Sequence, residues 1–413
     1  MLTEIFKKPS LQMASFTITE KGYKITNASG DFFPEVKNDI ENGPANPKNV
    51  MSKVTSLAHV RYLSGKLPIA FVSMDNCSRN GDLLRNSVIT IAEKWCEKGF
   101  VDKGFLEYLN NHELVSFPLS TIDKITPFPS EKVKELLQKD GFVDTEIVAT
   151  EKRTHIAPFV NAEEAQMLVI EDHFPNGRIR LDDAGVFYTD RDTVEKAEKM
   201  KVCTCLNPLH TALAVFGCLL GFKSIADEMK DECLRTLVNK VGYDEGLPVV
   251  INPGIIDPDE FIKEVIEKRF PNPYMPDTPQ RIATDTSQKV SIRFGETIKA
   301  YCNNPDLGPE KLKYIPLVIA GWVRYLIGID DEGNEMQLSP DPMMDELKGY
   351  LKDIRFGHAD NDLSGLKPIL SNRKIFGVDL YEIGLGEKIE GFFREMMTGP
   401  GAVRNALKKH LGL

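Results

Sequence analysis

The pattern of apolar and polar residues over the first 180 residues predicts an α/β sheet. Residues 13–19 and 67–73 are rich in β-branched and aromatic side chains, which predicts strands. Residues 52–63 have apolar side chains at helical spacing, and so do residues 84–98. On the second of these helices one side carries Leu84, Val88, Ile91, Ala92 and Trp95. Strand, helix and strand in this order predict a right-handed parallel crossover.

Two further apolar runs, residues 146–149 and 165–170, are expected to extend or flank this sheet. Beyond residue 190 long helical patterns dominate, at residues 212–221, 224–240, 257–268, 291–302, 315–326 and 343–354. The fold class predicted is therefore a partial Rossmann-like parallel-sheet domain, residues 1–190, followed by a mostly α-helical substrate domain, residues 191–413.

The two most apolar stretches, residues 211–222 and 315–329, predict buried helices rather than membrane spans. The first is too short to cross a bilayer, and the second carries Arg324 in its middle. We therefore predict that the chain has no membrane segment.

Composition narrows the class of protein further. A net charge of −10 over 413 residues argues against a general nucleic-acid binder, which would present a basic face to phosphates. Seven cysteines without a secretory signal indicate reduced thiols, and we expect a cytoplasmic protein.

Asn76 is the first candidate for chemistry. It follows the strand at residues 67–73, and ligands in open α/β sheets bind outside the carboxyl ends of strands. An Asn there could donate to a developing oxyanion, although Asp-Asn is also ordinary turn chemistry.

The densest candidate is Lys-Val-Cys-Thr-Cys-Leu-Asn-Pro-Leu-His at residues 201–210. A buried lysine can act as a general base, and Asn207 and His210 could hold the carbonyl or alcohol oxygen. The alternatives are a solvated Lys201 beside Lys199 and a structural His210 at a helix start. A zinc site on Cys203, Cys205 and His210 lacks a fourth ligand, so we predict no metal.

Arg281 and Lys289 are two cations eight residues apart, a spacing that could place both on one helix face. Such a pair suits a sugar acid's carboxylate or a row of hydroxyls. A surface ion-pair network with Asp285 is the alternative.

The ordered segments 16–23, 73–76, 122–127, 169–178, 201–210, 281–289 and 320–322 resemble the long-chain mannitol dehydrogenase family. This family includes mannitol 2-dehydrogenase, fructuronate reductase (D-mannonate oxidoreductase) and tagaturonate reductase. The resemblance covers nearly the whole chain and implies a metal-independent enzyme that uses NAD, with NADP not distinguished.

The resemblance also implies a role for each matching residue. Lys201 matches the general base, and Asn76 and Asn207 match the pair that stabilises the reacting oxygen. His210 matches a residue that hydrogen-bonds the substrate near that lysine, and Glu198 matches a carboxylate tied to proton exchange with solvent. Residues that match the substrate-binding set are Asp123, Arg281 and Lys289, and those that match cofactor contacts are Thr19 and Asn76.

The sequence departs from the family pattern in two places. Family members have Asn five residues after the lysine, whereas Asn207 is six residues after Lys201, so either the chain bulges by one residue or the geometry differs. The family also opens with a Gly-rich strand-turn-helix, and no such turn follows a strand before residue 190. The chain is therefore expected to begin after the first nucleotide-binding half and to bind NAD weakly or not at all alone.

From these observations we predict a monomeric NAD(P)-dependent oxidoreductase that interconverts a sugar-derived ketone and its alcohol. The stretch at residues 169–178 resembles the uronate-reducing branch of the family, which implies D-fructuronate and D-mannonate as substrates. Mannitol or another polyol is the alternative, and a truncated, non-catalytic binding protein is a further one.

Overall fold

The computed structural model describes residues 1–413 except 19, 152, 276 and 359. The described chain divides into two compact units. Unit 1 comprises Met1–Lys124 and Gln166–Glu198, and unit 2 comprises Ile125–Ala165 and Lys199–Leu413. These units differ from the predicted domains at two places, because residues 125–165 belong to unit 2 and residues 191–198 belong to unit 1.

The strands of the described chain lie between residues 13 and 189. They are β1 Met13–Phe16, β2 Ile69–Ser73, β3 Val115–Ser116, β4 Ser120–Asp123, β5 Val148–Ala149, β6 His155–Ile156, β7 Met167–Glu171 and β8 Phe187–Thr189.

Unit 1 contains a parallel sheet with the strand order β1-β2-β3. Met13 pairs with Ala70 and Phe16 with Ser73, and every residue of β2 is buried because this strand lies between two others. The predicted parallel arrangement of the first two strands is confirmed, although β1 ends at Phe16 instead of residue 19.

A second sheet of unit 1 has the order β4-β7-β8, with β7 antiparallel to β4 and parallel to β8. The apolar run at 165–170 therefore forms part of a sheet, as predicted. The run at 146–149 does not extend the sheets of unit 1, because β5 pairs with β6 in a separate two-stranded sheet of unit 2 whose residues are exposed.

The α-helices of unit 1 pack around these strands. They are Leu2–Phe6, Glu20–Tyr23, Pro34–Asn42, Val50–Leu63, Asn80–Glu97 and Lys103–Asn110, with Arg191–Lys199 at its end and a 3-10 turn at Leu181–Ala184. The predicted apolar face of Asn80–Glu97 is confirmed, because the buried residues include Leu84, Val88, Ile91, Ala92 and Trp95.

Unit 2 is mostly helical, as predicted. Its α-helices are Glu131–Lys139, Asn207–Leu219, Ile225–Glu228, Glu232–Asn239, Pro258–Glu264, Pro279–Ile282, Glu296–Asn303, Tyr314–Tyr325, Met344–Leu351, Lys367–Leu370, Arg373–Phe376, Gly386–Met396 and Ala402–Leu411. Its π-helical segments are Met200–Cys205, Lys240–Gly246, Val265–Arg269 and Ser291–Gly295, and its 3-10 turns are Leu247–Val249, Thr286–Gln288, Pro309–Lys311 and Ser364–Leu366.

The helix predicted at residues 224–240 is instead two helices. Ser224 caps the first through Asp227 N–H, and Asp231 caps the second through Leu234 N–H, so a new helix start interrupts the pattern. The patterns at 257–268 and 291–302 each include a π-helical segment.

The two most apolar stretches are buried helices, as predicted. In helix Asn207–Leu219 all residues except Asn207 and His210 are buried. In helix Tyr314–Tyr325 all residues except Tyr314 are buried. By length and composition the continuous helix Arg191–Leu219 could cross a membrane, but 78% of its most apolar window is buried inside the protein. Such burial is what a core helix shows.

Arg324 is fully buried in the second of these helices. Its guanidinium donates to the carbonyl oxygens of Met396, Ile329 and Asp330, and burial lowers its pKa to about 10. These backbone acceptors explain how a charged residue lies in the middle of an apolar run.

Candidate active site

The segment that carries Lys201 departs from α-helical geometry. Lys201 lies in the π-helical segment Met200–Cys205, and its carbonyl accepts a hydrogen bond from Leu206 N–H, five residues later, at 3.0 Å. A π-helical turn accommodates one residue more than an α-helical turn. The extra residue between Lys201 and Asn207 is therefore taken up by a bulge, the first of the two alternatives that the sequence left open.

Burial separates the two candidate lysines of this segment. The Lys201 residue is only 4% exposed, whereas Lys199, the competitor, is exposed. Asn207 begins the next helix, and its carbonyl accepts from Thr211 Oγ1 at 2.9 Å.

His210 lies on the same helix and faces an acidic partner that the sequence analysis did not assign. Its Nε2 is 3.1 Å from Asp277 Oδ2, but no hydrogen-bond partner has suitable geometry for this nitrogen among the described residues. Asp277 is thus the charged group that this buried nitrogen faces. The imidazole also packs against the ring of Phe270, with 5.1 Å between ring centroids.

The environment fixes the charge state of this pair. Burial lowers the pKa of His210, and the neighbouring Asp277 opposes this shift only in part, so the imidazole is neutral at pH 7. Burial alone would favour the neutral acid at Asp277, but His210 and Arg281 hold the pKa of this carboxyl below its ordinary value. The site therefore pairs a neutral imidazole with a carboxylate.

Two cavities of unit 2 meet at Asp277. One has a volume of about 30 Å³ and is lined by His210, Phe270, Asp277 and Arg269, among others. The other has a volume of about 410 Å³, in the range of small-molecule sites, and its lining includes Arg281, His155 and Phe128. The larger cavity is large enough for a substrate of sugar size.

A buried ion pair lines the smaller cavity. Arg269 donates to Glu163 through Nε at 2.9 Å and Nη2 at 2.8 Å, and the two side chains are 5% and 2% exposed. Glu163 also accepts from Ile125 N–H at 2.7 Å. The pair thus joins residues 125–165 to the helices of unit 2.

The expectation that Arg281 and Lys289 share one helix face is wrong. Helix Pro279–Ile282 ends early, and Asp285 has left-handed backbone dihedrals, with φ of 54°, that a continuing helix does not allow. Arg281 pairs with Asp277 through Nε at 2.9 Å, not with Asp285. The half-buried Lys289 donates from Nζ to the carbonyl oxygen of Thr284 at 2.5 Å.

The remaining predicted site residues belong to unit 1. Asn76 is exposed and follows the carboxyl end of β2, in a turn where Asp75 accepts from Ile18 N–H at 3.3 Å and from Cys77 N–H at 3.0 Å. Asp123 ends β4 and is buried, and Glu198 is half-buried in helix Arg191–Lys199. Thr19 lies outside the described residues.

The seven cysteines are free thiols. Across the described part of the chain, His, Cys, Asp and Glu side chains form no group of three or more that could hold a metal ion. Cys205 is buried, and burial raises the pKa of its thiol. Metal-independent chemistry stays a prediction.

Behind this site lies a carboxyl group that the sequence did not reveal. Glu228 is fully buried, and neither of its oxygens has a hydrogen-bond partner among the described residues. Burial, and then the charges of Asp277 and Asp231, raise the pKa of Glu228 well above its ordinary value of 4.5. The group is therefore protonated over a range of pH in which it would ionise in the unfolded chain.

Glu228→Gln is expected to stabilise the protein increasingly as the pH rises. Because the folded-state pKa is raised, the wild type loses stability as pH climbs above the unfolded value, by about 1.4 kcal/mol per pH unit, until the folded-state pKa is reached. The glutamine does not titrate, so its advantage in the free energy of unfolding should be larger at pH 8 than at pH 5. Denaturant unfolding at both values measures this.

Glu245→Gln is the comparison for that experiment, because burial raises the pKa of Glu245 as well but, unlike Glu228, this carboxyl has hydrogen-bond donors that oppose the shift. The Glu245 carboxylate accepts from the backbone N–H groups of Lys313, Tyr314 and Ile315 at the start of helix Tyr314–Tyr325. Its amide analogue loses acceptors there and should destabilise by about 1–3 kcal/mol. Equal effects of the two substitutions would contradict the assignment of Glu228.

Two family models together cover most of the chain. The Mannitol dehydrogenase Rossmann domain matches residues 3–183, and the Mannitol dehydrogenase C-terminal domain matches residues 193–395. The chain belongs to the mannitol dehydrogenase family. The predicted family and fold class, a Rossmann-like sheet domain followed by a mostly helical domain, are confirmed.

Several proteins of known name are similar over nearly the whole chain. The D-mannonate oxidoreductase of Thermotoga maritima is 61% identical over 411 residues, which are 99% of this chain and 76% of the relative. A crystal structure of D-sorbitol dehydrogenase in substrate-free form matches with a TM-score of 0.80 at 26% identity, over 98% of this chain and 76% of its own. Pseudomonas fluorescens mannitol 2-dehydrogenase, in a ternary complex with NAD and D-mannitol, matches with a TM-score of 0.65 at 25% identity, over 100% and 76%.

The prediction that this chain is a polyol or sugar-acid dehydrogenase is thus confirmed at the level of the family. The structure brings Lys201, Asn207, His210, Arg281 and Lys289 into unit 2. The roles assigned to individual residues, and the expected weak binding of NAD by this chain alone, stay predictions.

Proposed function

We propose that this chain is an NAD-dependent oxidoreductase that interconverts D-fructuronate and D-mannonate. The observation that carries the proposal is a buried lysine, Lys201, followed within ten residues by Asn207 and by His210, whose Nε2 is 3.1 Å from Asp277 Oδ2. The identity of 61% with a D-mannonate oxidoreductase supports this substrate pair. The larger cavity, lined in part by Arg281, supports an anionic sugar as substrate.

In the oxidation of the alcohol, Lys201 accepts the proton of the substrate hydroxyl, and in the reduction of the ketone it returns that proton. Lys201 is 4% exposed, so bulk water is largely kept from the amine that would take up this proton. The Asn207 amide donates to the reacting oxygen, where negative charge develops.

His210 orients the substrate through Nε2, and the Asp277 carboxylate beside it holds the ring electrostatically. Because the imidazole is neutral, it offers a hydrogen bond without adding a second cation next to the lysine that must lose its proton. Glu198 is proposed to exchange the proton of Lys201 with solvent, and Asp123 to bind substrate hydroxyl groups.

NAD supplies or accepts the hydride when it is bound. The parallel sheet of unit 1 fits such a cofactor, because open α/β sheets bind nucleotides outside the carboxyl ends of their strands and the exposed Asn76 follows β2 there. A Gly-rich turn that would surround the pyrophosphate is not in this sequence. Asn76 would contact the nicotinamide side, and Thr19 is proposed as a further contact.

Mannitol 2-dehydrogenase activity is the second candidate, since a mannitol 2-dehydrogenase shares the fold at 25% identity. NADH consumption by the purified protein separates the two. We expect turnover with D-fructuronate and little with D-fructose. Turnover with fructose alone would support a polyol dehydrogenase and contradict the proposal.

We further propose a monomer in the cytoplasm. The free thiols support a reducing compartment, since secreted proteins commonly pair their cysteines. Light scattering of the purified protein measures the assembly state, and a dimer mass would contradict the monomer.

A further inference from the structure

Two cations of unit 2, Lys289 and Arg293, lie one turn apart without an anion between them. Arg293 is in the π-helical segment Ser291–Gly295, and its backbone N–H donates to the carbonyl oxygen of Lys289 at 3.0 Å. Both side chains are partly buried. We call them the paired cations.

The hydrogen bonds of the paired cations are to neutral groups. Arg293 Nη1 donates to Thr211 Oγ1 at 2.6 Å, and Lys289 Nζ donates to the Thr284 carbonyl oxygen at 2.5 Å. Within the described residues neither cation forms an ion pair. Asp285 and Asp341 act on Lys289 only from a distance, and the oxygens of Asp341 accept from Ser287.

This arrangement costs stability in the absence of a ligand. Burial lowers the pKa of Arg293 to about 10, and burial together with the charge of Arg293 lowers the pKa of Lys289. Like charges four residues apart repel, and a desolvated charge without a partner is unfavourable. Side chains under such strain concentrate at binding sites, where a ligand supplies the missing charge.

The paired cations are also close to the proposed reacting groups. Thr211 Oγ1, which accepts from Arg293, donates to the carbonyl oxygen of Asn207 at 2.9 Å. The charge of Arg293 is near enough to His210 to contribute to the lowering of its pKa. An anion bound at Arg293 would therefore lie beside Asn207 and His210.

We propose that Arg293, assisted by Lys289, binds the carboxylate of the sugar-acid substrate and thereby makes this chain prefer sugar acids to neutral polyols. The inference rests on the proposed function and adds a specificity residue to it. A planar guanidinium can bind a carboxylate through two hydrogen bonds, which an ammonium group cannot match. A neutral ketose leaves the desolvated charges unpaired, so it binds less well.

The test compares D-fructuronate with D-fructose in the full chain and its Arg293→Gln variant. We expect the KM for fructuronate to rise ~10- to 100-fold, with kcat within a few-fold, because a hydrogen-bonded charge pair is lost. Kinetics with fructose should change less than threefold or improve. In Arg293→Lys the KM for fructuronate should return part of the way to the wild-type value. Arg235→Gln is the control, because it removes an exposed arginine of the same unit, and it should leave the KM for both substrates unchanged.

A binding measurement keeps the inference testable apart from turnover. D-Mannonate should raise the thermal midpoint of the wild type more than D-mannitol does, and this difference should vanish in Arg293→Gln. The inference would be overturned if Arg293→Gln raised the KM for fructuronate and for fructose by the same factor, or if it left the KM for fructuronate unchanged. The proposed function would stand in both cases. If the wild type does not reduce fructuronate, the proposed function is refuted. The inference is then tested only by the rise in thermal midpoint with D-mannonate, compared between the wild type and Arg293→Gln.

Discussion

Lys201→Met is expected to lower kcat by ~100- to 10,000-fold, the range that general acid–base catalysis contributes. The reason is that the buried Lys201 is the amine in this segment that is shielded from water, and methionine has a similar length without a group that accepts a proton. KM should change little, because the arginine, lysine and imidazole that bind the substrate are retained. Steady-state and single-turnover kinetics of NADH consumption measure both quantities.

Lys199→Met is the matched control, since Lys199 is two residues earlier and exposed. Its kcat should remain within about threefold of the wild type, as expected for a surface substitution. Circular dichroism and thermal midpoints of both variants show whether the fold is kept. A large loss in Lys199→Met with normal activity in Lys201→Met would transfer the role of base to Lys199.

Spacing alone did not choose between these two lysines. In the sequence, Lys201 was preferred to Lys199 as the general base because of the resemblance to a family. The structure adds a physical reason, because Lys201 is buried and Lys199 is exposed. The extra residue before Asn207 could be counted in the sequence, but its accommodation could not, because a π-helical bulge depends on how the flanking helices pack.

Elements whose burial follows a local period were predictable. β2 is buried on both faces, so it appears in the sequence as a continuous apolar run. Helix Asn80–Glu97 is buried on one face, so it appears as apolar residues at helical spacing. The helices Gly386–Met396 and Ala402–Leu411 were not predicted, although both bury apolar residues at helical spacing. Their signal was present in the sequence and was overlooked.

Contacts between distant residues were not predictable. Glu163 and Arg269 are 106 positions apart, and a single charged residue in either segment looks like an ordinary surface residue. The pair is one of the contacts between residues 125–165 and the helices of unit 2, a segment that the predicted boundary near residue 190 placed with the sheet domain. Arg293 was missed for the same reason, because nothing local marks an arginine as desolvated.

Arg269→Met is expected to lower the free energy of unfolding by about 3–5 kcal/mol, the cost of leaving one member of a buried ion pair without its partner. Glu163, whose side chain is 2% exposed, would lose the two hydrogen bonds that it accepts from Arg269 and keep the one from Ile125 N–H. Arg373→Met is the control, because Arg373 and Glu382 form a pair in the same unit whose side chains are each 64% exposed, and it should cost less than about 1 kcal/mol.

The double variant Glu163→Gln with Arg269→Met distinguishes an unpaired charge from lost packing. The glutamine retains an oxygen for Ile125 N–H and removes the charge, so part of the lost free energy should return. Denaturant unfolding of the two single variants and the double variant gives the coupling between the residues. If Arg269→Met lowers the free energy of unfolding no more than Arg373→Met does, the ion pair of Glu163 and Arg269 does not hold residues 125–165 to the helices. If instead the double variant recovers stability, the loss of the Arg269 charge beside Glu163 accounts for the lower stability of Arg269→Met, and the ion pair beside the cavity lined by His210 contributes to holding this segment.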